Sequence, residues 1–134
     1  MIKAVISGTG LFTPSESISN DELVESFNTY VQKFNLDHKD AISSGEIDAL
    51  NESSSAFIEK ASGIKSRYVM DKKGILDPGV MHPNLPERSD DEPGILCEMA
   101  VNASKQALEN AKRSVQDIDA VIVACSNLQR AYPA

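Results

Sequence analysis

The chain has no tryptophan, and aromatic residues make up only 5% of its 134 residues. Without indole rings, its core has to come from Ala, Val, Ile and Leu. Cysteine occurs twice, at Cys97 and Cys125, outside any C-x-x-C pair, and histidine twice, at His38 and His82. That spacing excludes the usual zinc sites and predicts two reduced thiols. Positive charge is also scarce: 13 Lys and Arg stand against 20 Asp and Glu, a net charge of −7. No basic stripe of the kind nucleic acids require is present, so no nucleic-acid partner is expected. Lys60, Lys65 and Arg67 form the one basic cluster outside a solvent-facing helix. No apolar run approaches membrane-spanning length. The N-terminal run breaks at Gly8, too short for a secretory h-region and without a cleavage site, so a cytoplasmic protein with no membrane partner is expected.

What is present has α/β character. Residues 2–7 form an apolar run closed by Gly8 and Gly10, which predicts a buried strand. Ser19 and Glu22 have capping-box spacing, and Leu23, Phe27, Tyr30, Val31 and Phe34 follow at helical intervals, predicting a helix over about 20–35. Residues 36–52 are polar and mixed and are expected to be an irregular insertion, with room for a helical turn. A short helix is predicted over 53–60, ended by Gly63, and a strand over 66–70. The Pro- and Gly-rich stretch 71–94 predicts a long surface loop. Beyond it Leu96, Met99, Ala100, Ala103, Ala107, Leu108 and Ala111 fall on one helical stripe, and the alanines permit close approach of whatever covers that face. Ser114 begins a last helical turn, and the continuous apolar run 120–125 predicts a strand buried on both faces, as in a parallel sheet.

The chemistry-bearing residues do not assemble into a catalytic set. Gly8-Thr9-Gly10 follows a strand, but a dinucleotide loop needs a third Gly where Thr13 stands, and Pro14 follows it; a tight strand exit is the better reading. Cys125 at a strand end and Cys97 beside a helical stripe read as packing residues. His38 and His82 lie in polar insertions with no base or nucleophile partner nearby, and Asp90-Asp91-Glu92 reads as solvated loop charge.

Several segments, in order, resemble the β-ketoacyl-(acyl-carrier-protein) synthase III family. They are Ile6-Ser7-Gly8-Thr9-Gly10-Leu11-Phe12-Thr13-Pro14, Ser19-Asn20-Asp21-Glu22-Leu23 and Ser62-Gly63-Ile64-Lys65-Ser66-Arg67. Met99–Ser104, Asp117–Ala124 and Arg130-Ala131-Tyr132-Pro133 complete the set, which runs from Val5 to Pro133. The resemblance implies a thiolase-like fold of αβαβα layers, of which residues 1–134 would be the N-terminal part of the first half, with insertions at about 30–52 and 74–94. It implies decarboxylative Claisen condensation of an acyl-CoA with malonyl-acyl-carrier protein in fatty-acid or related biosynthesis. The catalytic Cys, His and Asn would lie beyond Ala134, so no catalytic residue falls in this segment. A non-catalytic relative that binds acyl carriers, or a thiolase-fold acyltransferase, would share these motifs.

The resemblance also implies substrate-binding positions at Phe57, Lys65, Ser126 and Tyr132. Phe57 stands where the family has an aromatic that stacks on the CoA adenine. Ala61 stands where it often has an Arg, leaving Lys60 or Lys65 as the phosphate partner. Tyr132 stands where an aromatic crosses a homodimer interface into the partner's acyl pocket. CoA thioester enters as substrate, and no cofactor is implied. The implied partners are acyl-CoA, malonyl-acyl-carrier protein, the remainder of the same enzyme and a second copy of it.

Overall fold

The computed structural model describes residues 4–125. Ser126 and the Arg130–Pro133 segment, with Tyr132, lie outside the described residues. The chain divides into two compact units: residues 14–86, and the stretch before Pro14 together with the stretch after Pro86.

In the first unit the order is β1 (Glu16–Ser19), α1 (Asn20–Asp37), α2 (Lys39–Ser44), α3 (Ser55–Ser62), β2 (Ser66–Val69) and α4 (Lys72–Leu76). Helix α1 forms where the pattern predicts it. The Ser19 hydroxyl accepts from the Glu22 N–H at 3.2 Å, and Glu22 Oε2 accepts from the Ser19 N–H at 2.9 Å. This reciprocal cap satisfies two amides of a helix end and is worth about 1 kcal/mol. Val31 on its apolar face is 1% exposed. The helix runs on to Asp37, and His38 caps it, its ring stacked on Phe34 with centroids 4.2 Å apart.

The insertion after α1 contains α2, which ends at Gly45 in the left-handed conformation. The return segment is held by the amides of α1. Asn35 donates to the Leu50 carbonyl and accepts from the Leu50 N–H, both at 2.9 Å. Asn28 does the same for Ser53, at 3.1 and 2.9 Å. Two Asn side chains spaced seven apart, on one face of α1, thus stand in for a strand edge. Helix α3 then starts at Ser54, whose hydroxyl accepts from the Phe57 N–H, and stops at Gly63 with φ +72, as predicted.

Strand β2 was predicted; its partner β1 was not. The two pair antiparallel, with Ile18 opposite Arg67 and Ser17 opposite Tyr68. Opposed residues share a face, so Ile18, fully buried, turns Arg67 inward, while Tyr68 is 65% exposed. The expected loop 71–94 contains α4. Asp71 caps it by accepting from the Gly74 N–H at 3.1 Å, and its other oxygen accepts from the Asn84 N–H at 2.6 Å. One carboxylate therefore closes 13 residues of the stretch that sequence marks as loop.

The second unit is built on α5 (Ile95–Ala111). The predicted stripe from Leu96 to Ala111 is its half-buried face, and Ile95 is buried. The Gly8–Leu11 segment covers the alanines. A Cβ at Gly10 would run into the Ala103 carbonyl and lie 2.6 Å from the Ala107 N; one at Gly8 would lie 2.7 Å from the Ala111 N. These glycines serve close backbone approach, where a tight turn was expected. The Leu11 N–H donates to Gln106 Oε1 at 2.6 Å, and Asn110 donates to the Thr9 carbonyl at 2.8 Å. A 3-10 turn at Val115–Asp117 follows, capped by Ser114 and Asp117.

The strands predicted over 2–7 and 120–125 are not formed among the described residues. Residues 4–7 and 120–125 belong to no sheet, and Ile6, Ile122 and Val121 are 88%, 94% and 77% exposed. A run apolar on both faces becomes a strand only between hydrogen-bonding neighbours. The β1–β2 pair is the only sheet among the described residues, and it lies in the other unit.

Candidate functional site

Two of the four implied substrate positions, Phe57 and Lys65, lie in the first unit, on α3 and the turn that follows it. Phe57 is 65% exposed. Its position three residues after the Ser54 cap leaves the ring on the outer side, while Ile58 is half-buried. Ala61, four residues on, shares its face and is also exposed.

The turn from Ser62 to Arg67 is tied down by one buried side chain. Asn20, 5% exposed at the start of α1, donates from Nδ2 to the Ile64 carbonyl at 2.7 Å and from its backbone N–H to the Lys65 carbonyl at 3.2 Å. Its Oδ1 accepts from Arg67 Nη2 at 2.6 Å. The Arg67 Nη1 is buried with no hydrogen-bond partner among the described residues. Asn20 thus fixes two carbonyls and one guanidinium of the Ser62-Gly63-Ile64-Lys65-Ser66-Arg67 motif at once. This breaks up the basic cluster expected from sequence: Arg67 faces inward beside Ile18, and only Lys60 and Lys65 face out. Lys65 lies 3.3 Å from Glu59, with side chains 79% and 51% exposed.

A second polar junction lies at the base of the same unit. Glu22 carries its cap to Ser19 and an ion pair to Lys72 Nζ at 2.5 Å, while the Lys72 N–H donates to Glu16 at 2.9 Å. The Lys72 ammonium first, then the Ser19 N–H and hydroxyl, hold the Glu22 carboxyl at a pKa of about 2. Asp71 is likewise held below the usual carboxylate range, first by the Asn84 N–H and then by that of Gly74. In the other unit the Ser114 N–H lowers Asp117 in the same way. These are acidic groups kept ionised by structural donors, the reverse of what a general acid needs.

The remaining chemistry-bearing residues stay apart. His38 Nδ1 is 2.9 Å from the Phe34 carbonyl, and His82 Nδ1 is 3.1 Å from that of Pro83. Cys97 and Cys125 are both exposed. Among the described residues no group of three or more His, Cys, Asp or Glu is placed to hold a metal ion. No helix of theirs is long and apolar enough to cross a membrane.

Sequence reasoning missed Asn20, Asn28 and Asn35. An amide that bonds backbone some 15 to 45 residues away leaves no local pattern, and only the seven-residue spacing of Asn28 and Asn35 on one helical face was there to be noticed.

No family profile matches the chain. Curated relatives do. The β-ketodecanoyl-[acyl-carrier-protein] synthase of Pseudomonas aeruginosa is 69% identical over 111 residues, 83% of this chain and 32% of the relative. The β-ketoacyl-[acyl-carrier-protein] synthase III of Wolbachia pipientis is 30% identical over 93 residues, 69% of this chain and 23% of the relative. That of Bartonella tribocorum is 27% identical over all 134 residues, 28% of its own length. By sequence the chain belongs to the β-ketoacyl-[acyl-carrier-protein] synthase III family. It spans about a third or less of the length of the curated relatives it matches.

Proposed function

We propose that the chain is the N-terminal part of an acyl-condensing enzyme acting on a medium-chain acyl-CoA and malonyl-acyl-carrier protein in fatty-acid or related biosynthesis. The 69% identity to a synthase named for a β-ketodecanoyl product carries this reading. A ten-carbon β-ketoacyl product arises when an eight-carbon acyl group gains two carbons from malonyl. An active-site Cys beyond Ala134 takes the acyl group and releases the CoA thiol. Malonyl-acyl-carrier protein then loses carbon dioxide, and the resulting carbanion attacks the acyl thioester and expels the Cys thiolate. A His and an Asn, also beyond Ala134, assist the decarboxylation.

In this reading the chain supplies binding. Phe57 offers its exposed ring to the adenine, Lys65 or Lys60 meets a phosphate, and Ser126 lines the substrate path. Tyr132 closes the acyl pocket of the partner in a homodimer. The fold completed by the rest of the enzyme is thiolase-like, and the location is the cytoplasm. The test is condensation by the full-length protein with acyl-CoA donors of graded length and malonyl-acyl-carrier protein. The expected result is β-ketodecanoyl product from the eight-carbon donor in preference to the two-carbon donor, with none from residues 1–134 alone. Absence of any β-ketoacyl product from the full-length protein would overturn the reading.

A further inference from the structure

The outer face of α3 and its following turn carries fewer available cations than its sequence suggests. Three basic residues, Lys60, Lys65 and Arg67, lie within eight positions. Arg67 is drawn inward by Ile18 across the ribbon and by Asn20 at 2.6 Å. Lys65 is partnered by Glu59 at 3.3 Å. Lys60 pairs with no carboxylate among the described residues and, unlike Arg67, faces outward. Glu59 is two residues from Phe57 on the same short helix, so the two side chains leave it in different directions, and Glu59 meets the outer face through its pair with Lys65.

We propose that Glu59 is an internal competitor for Lys65 that weakens docking of the acyl donor's nucleotide phosphates. This rests on the reading that α3 receives the nucleotide end of acyl-CoA. Both partners of the pair are more than half exposed, and such a pair is weakly held, so a phosphate can displace the carboxylate. The displaced carboxylate stays tethered within reach and repels the phosphate. Glu59 thereby sets how much of the donor's affinity comes from its nucleotide and how much is left to its acyl chain. The relevant substrate chemistry is a polyanionic nucleotide, set against a donor carrying the same acyl group on an uncharged pantetheine arm.

The experiment is steady-state kinetics of full-length wild type, Glu59→Gln and Phe57→Ala, with acyl-CoA and with the matching acyl-pantetheine. Glu59→Gln keeps the size of the side chain and removes only the charge at an exposed position. The expected result is a KM for acyl-CoA lowered roughly two- to fivefold at low salt, fading toward 1 M salt as screening shortens to about 3 Å. The KM for acyl-pantetheine should not move, and kcat should be the same for both donors. An unchanged acyl-CoA KM in Glu59→Gln, with a raised one in Phe57→Ala, would overturn the role of Glu59 and leave the docking surface standing. An equal fall for both donors would also overturn it, because the effect would not run through the phosphates. No change in either variant would overturn the docking surface itself.

Discussion

Residues 14–86 and the unit built on α5 are held together by different kinds of contact. In the first, polar side chains reach back to distant backbone: Asn20 to 64, Asn28 to 53, Asn35 to 50, Asp71 to 84. Its fully buried large side chains are only Ile18 and Val31. In the second, Gly8 and Gly10 lie on the alanine face of α5 so closely that a methyl group would strike backbone. Hydrogen bonds made by amides and carboxylates tolerate water nearby and let a polar segment close on itself. In the second unit two ties of that kind, Gln106 to 11 and Asn110 to 9, flank a backbone-on-alanine packing that depends on shape, and Val121, Ile122 and Val123 stay exposed.

If that contrast is right, the largest effect should come from adding volume in the second unit. Gly10→Ala places a Cβ against the Ala103 carbonyl and 2.6 Å from the Ala107 N, neither of which can rotate away. Overpacking against backbone should cost about 3 kcal/mol. Denaturant unfolding of the full-length protein measures this, and a loss below about 1 kcal/mol would show that the segment lifts off α5 freely.

A smaller loss is expected from cutting a polar tie in the first unit. Asn20→Ala removes the acceptor for Arg67 and the donor to Ile64 while leaving the guanidinium partly buried. The cost should be about 2 kcal/mol, mostly from stranding the Arg67 charge. The double variant Asn20→Ala, Arg67→Met should recover part of that loss, since an apolar side chain beside Ile18 needs no partner. If the double variant were less stable than Asn20→Ala alone, Arg67 would have some other stabilising partner.

The same contrast explains what the sequence made legible. Helices α1 and α5 announce themselves through periodic apolar residues, α1 also through its Ser19–Glu22 cap, and α3 through the Gly63 that ends it, signals that are all local in sequence. Strand β1 has one apolar residue, Ile18, and follows Pro14 closely, so it acquires its identity only from β2. Helix α4 is hidden in a Pro- and Gly-rich stretch because its cap depends on Asp71, a single residue. The apolar runs 2–7 and 120–125 read as strands from composition, yet pairing is a property of neighbours that composition does not contain. At the candidate site, the inward turn of Arg67 is decided across the ribbon, by Ile18 opposite it, and leaves no mark in the local sequence.

The smallest predicted effect is electrostatic and belongs to the first unit alone. Glu22 has its carboxyl pKa lowered from 4.5 to about 2 by Lys72 first and by the Ser19 donors second. A group whose pKa is lower in the folded state binds protons more readily when unfolded. Its contribution to stability is therefore complete above about 4.5 and is lost as the pH falls toward 2. Because Glu22 and Lys72 are 40% and 34% exposed, water and salt screen much of that contribution. Glu22→Gln keeps a side-chain oxygen for the Ser19 N–H but removes the charge that Lys72 attracts. Wild type should be the more stable of the two at neutral pH, and the gap should narrow steadily between pH 4.5 and pH 2. Added salt should shrink the gap at neutral pH. A gap that stays constant across that acid range would mean that the carboxylate contributes only through the shape of its cap, with no share from its charge.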